Sequence, residues 1–304
     1  MAEATEKNYL DPKVLNKIGN LELRARLVME GFISGMHKSP FRGFSVEFAQ
    51  HREYVAGDDI RYIDWKIFGK SDRFYIKEFE EETNLRAHIF LDQSESMAYG
   101  FEGGVSKYDY AATAAASLAY MIQQQSDAVG LNLFHNKVVT TIPPSNTRAN
   151  LGNILHQISE TTPTSQTKIG TVLQELAGQL PRRGMIMILS DLFDDPEEVI
   201  QGLHTLAQRG HDVVVFHIFD RDEVEFPFER MTLFEGLEDM PELLVDPRSL
   251  RDAYLKEINT FQEAIRKGCL KNRIDYVKVI NSQELDVVLS SYLAARAAQA
   301  KRGK

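Results

Sequence analysis

Short apolar runs alternate with segments of helical periodicity along most of this chain. Residues 86–91 form one apolar run and residues 128–134 the next. Between them, residues 107–125 place apolar side chains three and four positions apart, which favours an amphipathic helix. Strands that are joined by helices lie parallel and are covered on both faces. The alternation therefore predicts an α/β fold, with a mostly parallel sheet and helices on both faces.

The same alternation continues towards the C-terminus. Further strands are predicted at residues 137–142, 185–189, 213–219 and 276–280. Further helices are predicted at residues 148–160, 169–180 and 283–300, from Asp195-Pro196 to Gly210, and in a long segment that Ser249 caps. Residues 220–246 are acidic and irregular, so they form either a hairpin inserted near the sheet edge or a long loop.

The first 84 residues differ from this alternation. Asp11-Pro12 is a helix start signal, and apolar periodicity after it predicts a second helix. Residues 38–84 then alternate apolar and polar positions and carry turn sequences, which indicates a small β-rich module. We therefore predict an N-terminal helical and β-rich part at residues 1–84 and an α/β domain at residues 85–304.

Asp92, Ser94 and Ser96 follow the first predicted strand of the α/β domain in an Asp-x-Ser-x-Ser pattern. A strand that ends there presents one carboxylate and two hydroxyls to a single point above the sheet edge. Oxygen ligands with little net charge suit Mg²⁺ or Mn²⁺. Either ion would keep some of its bound water and leave one of its coordination positions open for a ligand. By itself the pattern is equally typical of a solvated turn with a helix cap.

Two distant segments favour the metal interpretation. Thr167 lies where the Ser/Thr-rich residues 161–167 run into a predicted helix, so its hydroxyl either caps that helix or faces the strand ends. Asp191 follows the predicted strand at residues 185–189. In an open α/β sheet such strand ends converge on one crevice, where ligands bind. The sequence therefore predicts a magnesium or manganese site formed by Asp92, Ser94, Ser96, Thr167 and Asp191.

This set of residues resembles the metal-ion-dependent adhesion site of von Willebrand factor A domains. Upstream, residues 47–77 read EFAQHREYVAGDDIRYIDWKIFGKSDRFYIK. Their Arg52-Glu53-Tyr54, Gly57-Asp58-Asp59, Arg61 and Ile63-Asp64-Trp65 elements resemble the signature of a bacterial family, the domain of unknown function 58. The resemblance covers residues 40–220 well, and it implies a von Willebrand A-like fold with a small additional module.

The resemblance also implies a function. Members of this family are often encoded beside MoxR-type AAA+ ATPases, and they are thought to act with them as metal-dependent adaptors in protein assembly or maturation. No enzyme activity is generally attributed to them. Carried over to this chain, Asp92, Ser94, Ser96 and Thr167 would donate oxygens to the metal, and Asp191 would bind it directly or through water.

The choice of Thr167 rests on this resemblance, because other hydroxyls lie close by in Thr164, Ser165 and Thr171. Family members tend to read Thr-Asp-Leu where this chain reads Thr167-Lys168-Ile169. Lys168 therefore replaces an acid, which changes the local charge and the metal affinity expected of the site.

The expected mechanism is capture of a carboxylate. An ion that is held by few negative charges stays electrophilic enough to accept an Asp or Glu side chain of another protein in its open position. The expected partner is a MoxR-type ATPase or its client. The sequence has no Gly-x-x-x-x-Gly-Lys-Ser/Thr loop, so ATP hydrolysis would belong to the partner.

Charge and hydropathy disfavour other classes of protein. The formal net charge of −9 disfavours a nucleic-acid binder, which needs concentrated Lys and Arg. No apolar run reaches the roughly 18 residues of a membrane span, and residues 1–11 do not resemble a signal peptide. We therefore expect a cytoplasmic protein. Cys269 is the one cysteine, so no intrachain disulfide forms, and its helical context predicts burial.

Two alternative functions stay open at this level. A metal-dependent phosphoesterase or hydrolase is the first, but aspartyl-nucleophile chemistry wants a second carboxylate where this chain has Ser94. His135 and His217 lie in or beside predicted strands and are expected to be buried and hydrogen-bonded rather than catalytic. The second alternative is a structural scaffold whose ion holds loops together without contacting a partner.

Gly57-Asp58-Asp59 also admits a polymerase-like metal site, since adjacent carboxylates hold the ions of phosphoryl transfer. Adjacent strand residues point to opposite faces, however, and no complementary basic groove is evident. Pairing of these acids with Arg52 or Arg61 is the favoured interpretation, with Trp65 as an anchor. Docking of a partner on the same region stays open.

Overall fold

The computed structural model describes residues 11–35, 45–53, 74–82, 85–180, 183–234 and 243–302. Its strands are, in chain order, β1 (Ser45–Glu53), β2 (Tyr75–Glu82), β3 (Arg86–Asp92), β4 (Ala128–Phe134), β5 (Val138–Ser145), β6 (Met185–Ser190), β7 (Asp212–Phe219), β8 (Thr232–Phe234), β9 (Leu243–Val245) and β10 (Asp275–Ile280). Its helices are α1 (Pro12–Asn16), α2 (Leu21–Gly35), α3 (Lys107–Gln124), α4 (Arg148–Glu160), α5 (Ile169–Gln179), α6 (Pro196–Gln208), α7 (Arg221–Glu225), α8 (Pro247–Lys271) and α9 (Leu285–Arg302). A short 3-10 turn spans Glu95–Ala98.

The chain divides into two compact units, Met1–Ser39 with Arg86–Lys304 and Pro40–Leu85. The start of the α/β domain therefore lies next to the boundary at residue 85 that the sequence indicated. The N-terminal helices group with the sheet domain, whereas the sequence analysis joined them to the β-rich module. Apolar residues of α2, such as Ala25 and Val28, are fully buried in the same core as α3, which explains this grouping.

The smaller unit contains β1 and β2, which pair antiparallel with an irregularity between Phe48 and Gln50. The remaining sequence features of this unit lie outside the described residues. Those features are Gly57, Asp58, Asp59, Arg61 and Trp65. Their pairing, docking or metal-binding roles therefore stay predictions.

The larger unit is built on a six-stranded sheet in the order β10-β7-β6-β3-β4-β5. Only β5, at one edge, runs antiparallel to its neighbour in this sheet. The chain leaves β3 towards β4 and β5 and then returns to build the other half of the sheet from β6. The carboxyl ends of β3 and β6 therefore flank the switch point at which open α/β sheets bind ligands. The expected α/β fold with a mostly parallel sheet is confirmed.

Two apolar layers cover the two faces of this sheet, as the alternation predicted. Successive residues of β3 point to opposite faces. Ile89 and Leu91 belong to the layer that contains α3, α4 and α9, whereas Phe90 belongs to the layer of α5, α6 and α8. All three side chains are fully buried. Strand β3 is therefore a central element whose end is held in place by both layers.

After β7, the structure decides between the two interpretations of residues 220–246 and corrects one predicted helix cap. Residues 220–246 contain α7 and an antiparallel pair of β8 and β9, so the hairpin interpretation is confirmed for the described part. The predicted cap of the long helix, Ser249, is wrong. Helix α8 begins at Pro247, and Asp246 is the N-cap, whose side chain accepts from Arg248 N at 3.1 Å. Proline suits the first helical position because no donor is lost there.

Helices α5 and α6 approach closely through two glycines. A Cβ atom on Gly170 would lie 2.7 Å from the carbonyl carbon of Glu198, and one on Gly202 would lie 2.8 Å from Gly170 O. Both contacts are with backbone, which cannot move aside as a flexible side chain does. This close approach fixes the first turn of α5, which begins two residues after Thr167.

We expect Gly170→Ala to lower the free energy of unfolding by about 1–3 kcal/mol, because the added methyl group forces α5 and α6 apart. Gly178→Ala is the matched control in the same helix. Its Cβ would meet nothing within 4 Å, so it should raise stability by about 0.5–1 kcal/mol. Urea denaturation followed by circular dichroism measures both changes. Equal effects at the two positions would contradict the proposed helix contact.

Candidate metal centre

Two central strands end in acidic and hydroxyl side chains at the switch point. Asp92 is the last residue of β3, Ser190 is the last residue of β6, and Asp191 follows it. Asp92 is fully buried, and its Oδ2 accepts a hydrogen bond from Ser190 Oγ at 2.5 Å. Its Oδ1 accepts from Ser94 N at 2.8 Å. Both oxygens of Asp92 are therefore fixed, one by the neighbouring strand and one by the turn that follows.

The two serines of the Asp-x-Ser-x-Ser pattern lie side by side. Ser94 is fully buried and Ser96 is 6% exposed, and their Oγ atoms are 3.1 Å apart. The Ser94 side chain acts to lower the pKa of Asp92, and the Ser96 side chain acts to lower the pKa of Asp191, so each serine lies close to one of the two acids. The pair therefore links the acids that end β3 and β6.

The loop before α5 is bound to this turn by backbone hydrogen bonds. Thr164 N donates to Gln93 O at 2.8 Å, and Glu95 N donates to Ser165 O at 2.9 Å. Gln93 N in turn donates to Phe134 O at the end of β4. These bonds hold the Ser/Thr-rich loop at the carboxyl edge of the sheet, where the sequence placed it.

Thr167 differs from the neighbouring hydroxyl residues in burial. It is 7% exposed, whereas Thr164, Ser165 and Thr171 are exposed. The N-cap residue of α5 is Lys168, whose side chain makes no cap hydrogen bond. The amide of Gly170 near the start of this helix donates instead to Asp194 Oδ2 at 3.2 Å. The capping bond at Gly170 therefore comes from Asp194, and the assignment of Thr167 to the metal site stays a prediction.

Lys107 is the feature of the site that the sequence analysis missed. It is the first residue of α3, yet it is only 2% exposed. Its Nζ lies 2.8 Å from Asp191 Oδ2 and 2.6 Å from Glu223 Oε1. A lysine at a helix N-terminus is opposed by the helix dipole, and this unfavourable position is the signal that could have singled it out. Glu223 could have been found from Asp-x-x-Glu in residues 220–223, which forms a capping box.

The charges of the site shift the pKa values of its acids in opposite directions. Burial, together with the charge of Asp191, raises the pKa of Asp92 to about 7. Burial also acts to raise the pKa of Asp191, but the Lys107 ammonium outweighs it and the pKa lies below its usual value. Burial raises the pKa of Glu223, and Lys107 offsets part of that shift. Among the residues that the structure describes, Asp92 therefore has no cation of its own, whereas Asp191 has Lys107.

His217 contacts the backbone of Asp191, and as predicted it is buried and hydrogen-bonded. Its Nε2 lies 2.9 Å from the carbonyl oxygen of Asp191, so Nε2 carries the proton and donates. Its Nδ1 then accepts from Tyr276 Oη at 2.9 Å. Burial lowers the pKa of His217 to about 3, so the ring is neutral. His135 and Cys269 are also buried, as predicted.

The donor set fits Mg²⁺ or Mn²⁺ better than a zinc ion. Each carboxylate oxygen of Asp92 has a further lone pair beyond its present hydrogen bond. The hydroxyls beside it add neutral oxygen donors, which hard cations accept. Among the residues that the structure describes, no three His, Cys, Asp or Glu side chains converge on one point as they do in zinc sites. A cation at Asp92 would also offset the cost of a buried carboxylate opposite Asp191.

Comparison with known proteins identifies relatives of unassigned function. The model of a family described as "Protein of unknown function DUF58" matches residues 50–264. An uncharacterized protein of Mycobacterium tuberculosis is 25% identical over 252 residues, which cover 81% of this chain and 78% of that protein. A Mycobacterium bovis protein matches to the same extent.

Among solved structures, the protein BatB of Bacteroides thetaiotaomicron is 17% identical, with a TM-score of 0.47, over 70% of this chain and 99% of that chain. An aerotolerance-related membrane protein of Bacteroides fragilis, solved with multiple mutations to serine, is 17% identical with a TM-score of 0.48, over 69% and 99%. The von Willebrand A domain of SpRpn10 is 12% identical with a TM-score of 0.39, over 67% and 93%.

These neighbours correct the expected location. The prediction of a cytoplasmic protein is wrong, because a similar solved structure is that of a protein described as an aerotolerance-related membrane protein. In the part of the chain that the structure describes, no helix combines the length and apolar character of a membrane span.

Proposed function

Because the chain belongs to the DUF58 family, whose description gives no activity, we propose its function from the site at the strand ends. The protein is a metal-dependent adaptor that binds another protein by accepting an Asp or Glu carboxylate at a site-bound Mg²⁺ or Mn²⁺. It acts by binding rather than by catalysis. Its partner is a MoxR-type AAA+ ATPase or a client of that ATPase, as the resemblance of the sequence implies.

The 3.1 Å separation of Ser94 Oγ and Ser96 Oγ carries this proposal. Two neighbouring ligands of an octahedral Mg²⁺ lie about 3 Å apart, because each is about 2.1 Å from the ion at a right angle. The two hydroxyls are buried and converge at the end of a rigid central strand. Their spacing therefore suits adjacent positions around one ion.

The residues of the chain have distinct roles in this mechanism. Asp92, Ser94, Ser96 and Thr167 would hold the ion, and Asp191 would bind it directly or through water. When bound, the ion supplies an electrophilic position for the partner's carboxylate. Ser190 and the turn amide of Ser94 orient Asp92, and His217 orients the backbone of Asp191. Burial of these groups excludes bulk water, which strengthens the electrostatic interaction.

A hydrolase is the less favoured function. Aspartyl-nucleophile chemistry requires an acid near the leaving group, and the position two residues after Asp92 is Ser94, whose hydroxyl adjoins Ser96. The neutral His217 has both ring nitrogens engaged and lies behind the Asp191 backbone, so it cannot serve as a general base at the site. Release of phosphate from generic esters by the purified chain would favour the hydrolase.

Thr167→Val should weaken Mn²⁺ binding by at least about tenfold, because it removes a ligand oxygen while keeping the side-chain volume. Thr164→Val is the matched control, since Thr164 is exposed in the same loop. Calorimetric titration of Mn²⁺ into each purified variant measures the difference. If only Thr164→Val weakened the binding, Thr167 would not be the ligand of this loop.

Binding of a model carboxylate tests the proposed function. Mn²⁺ at the site relaxes water protons, and a carboxylate that replaces bound water lowers this effect. We expect a Gly-Asp-Gly peptide that is acetylated at its N-terminus and amidated at its C-terminus to lower the relaxivity of the Mn²⁺-loaded chain, whereas a Gly-Asn-Gly peptide blocked in the same way leaves it unchanged. Capture of a purified MoxR-type ATPase should likewise be lost in EDTA. Metal binding with equal responses to both peptides would favour the structural scaffold instead.

A further inference from the structure

The buried ammonium of Lys107 lies between two carboxylates at the proposed metal site. Its side chain is 3% exposed, and it contacts Asp191, which follows β6, and Glu223 from α7. The segment before it is fixed independently of the acids. Lys107 N donates to Tyr99 O at 2.8 Å, and Ser106 Oγ caps α3 by accepting from Asp109 N. The lysine is therefore held in place by the backbone of α3 as well as by its ion pairs.

Glu223 is fixed from the opposite side. Its second oxygen, Oε2, accepts from Asp220 N at 2.7 Å, and Asp220 accepts from Phe101 N at 2.9 Å. Asn281 Nδ2 donates both to Asp220 and to Val105 O. The loop that leads to Lys107 and the helix that carries Glu223 are thus tied to one buried acid.

These contacts give Lys107 and Glu223 opposite electrostatic effects on the proposed ligands. Asp92 and Asp191 bring two carboxylates to the proposed ligand set, and Lys107, which also contacts Glu223, brings one fixed positive charge. The ammonium lies 2.8 Å from Asp191 Oδ2, so it pairs with the same carboxylate that would bind the ion directly or through water. A divalent ion bound beside Asp92 and Asp191 would therefore be repelled by the ammonium of Lys107.

We infer that Lys107 is a built-in competitor of the metal ion, and that Glu223 moderates this competition by neutralising the ammonium. The inference rests on the proposed function, because it concerns the affinity of the same site for Mg²⁺ or Mn²⁺. In the metal-free protein, Lys107 supplies the positive charge that Asp191 needs in its buried position. A bound ion takes over part of that role and must overcome the repulsion of the ammonium. The chain therefore sets its own metal affinity through a residue that is not a ligand.

Calorimetric titration of Mn²⁺ into the full-length chain tests this inference with two variants of opposite expected effect. Lys107→Met should tighten Mn²⁺ binding by about tenfold or more, because the repulsion is lost. Glu223→Gln should weaken it, because the ammonium loses its second counter-charge. Lys256→Met is the control, since Lys256 is exposed on α8 and the variant makes the same change in net charge.

Thermal denaturation without metal provides a second measurement. Lys107→Met should melt at a lower temperature than the wild type, since it leaves Asp191 and Glu223 buried without their cation. Added Mn²⁺ should then raise its melting temperature by more than it raises that of the wild type. A purely structural lysine would lower the melting temperature without tightening metal binding. Glu223→Gln keeps Lys107 and Asp191 paired, so it tests the charge effect even if Lys107→Met folds poorly.

The outcomes separate this inference from the proposed function. Tighter Mn²⁺ binding in Lys107→Met than in the wild type supports the inference. Binding that is detected only in Lys107→Met supports it as well. That second result would count against metal binding by the wild-type chain on its own. Unchanged or weaker binding in Lys107→Met overturns the inference while wild-type binding leaves the proposed function standing. Absence of binding in every variant overturns both.

Discussion

Replacing Asp92 with asparagine is expected to weaken Mn²⁺ binding by more than about a hundredfold, because the variant removes the one ligand charge that no protein cation offsets among the described residues. The fold should survive. The asparagine carbonyl oxygen can still accept from Ser94 N, and its amide can donate to Ser190 Oγ in place of the bond that Asp92 accepts today. Burial and the charge of Asp191 raise the pKa of Asp92, so the metal-free variant should be at least as stable as the wild type.

This combination of lost binding and retained stability distinguishes a ligand from a structural residue. Calorimetry measures the affinity for Mn²⁺, and thermal denaturation with and without the metal measures the fold. Asp252→Asn is the control, since it makes the same change in net charge on an exposed side chain of α8. Wild-type affinity in Asp92→Asn would show that the metal, if it binds, is held elsewhere.

The second large effect concerns Asp220, which organises the segments around the site. Asp220 is fully buried and accepts hydrogen bonds from Phe101 N, Asp222 N and Asn281 Nδ2. We expect Asp220→Ala to lower the free energy of unfolding by about 3 kcal/mol, because these donors lose their shared acceptor in a buried place.

Asp222→Ala is the matched control two residues further on. The Asp222 side chain is half-buried, and its bond from Tyr99 Oη is long, at 3.3 Å. Its backbone amide, which bonds to Asp220, is kept in the variant. We expect a loss of less than about 1 kcal/mol. Urea denaturation measures both variants, and a small loss in Asp220→Ala would mean that water replaces the buried acceptor.

The sequence predicts the central sheet and the acids at its edge for a simple physical reason. Apolar runs such as residues 86–91 are buried on both faces, so they are strands, and parallel strands bring their carboxyl ends to one edge. Asp92 and Asp191 lie directly after such runs, and the structure places them at the ends of neighbouring strands. A rule about topology therefore located these acids without knowledge of any distance.

Other parts of the site depend on contacts that local patterns do not contain. Lys107 meets Glu223 across 116 positions of sequence, so their pairing follows from the packing of α3 and α7 rather than from a motif. The start of α8 shows a smaller failure of the same kind. Asp246 and Ser249 both suit an N-cap, and Pro247 decides between them because it occupies the first helical position.

The composition of the sequence did not correctly predict where in the cell the protein is found. The absence of a long apolar run in this chain led to the expectation of a cytoplasmic protein, and a similar solved structure that is described as a membrane protein contradicts it. Hydropathy reports whether a segment can cross a bilayer. It does not report where in the cell a folded domain works.

A crystal structure of the chain grown with Mn²⁺, with data collected at the manganese absorption edge, would locate the metal ion itself. We expect one strong anomalous peak within bonding distance of Asp92, Ser94 and Ser96, with Thr167 beside it and Lys107 directed towards Glu223. A peak only at exposed acids, or no peak in a crystal that contains saturating Mn²⁺, would contradict the metal site and the carboxylate capture that depends on it.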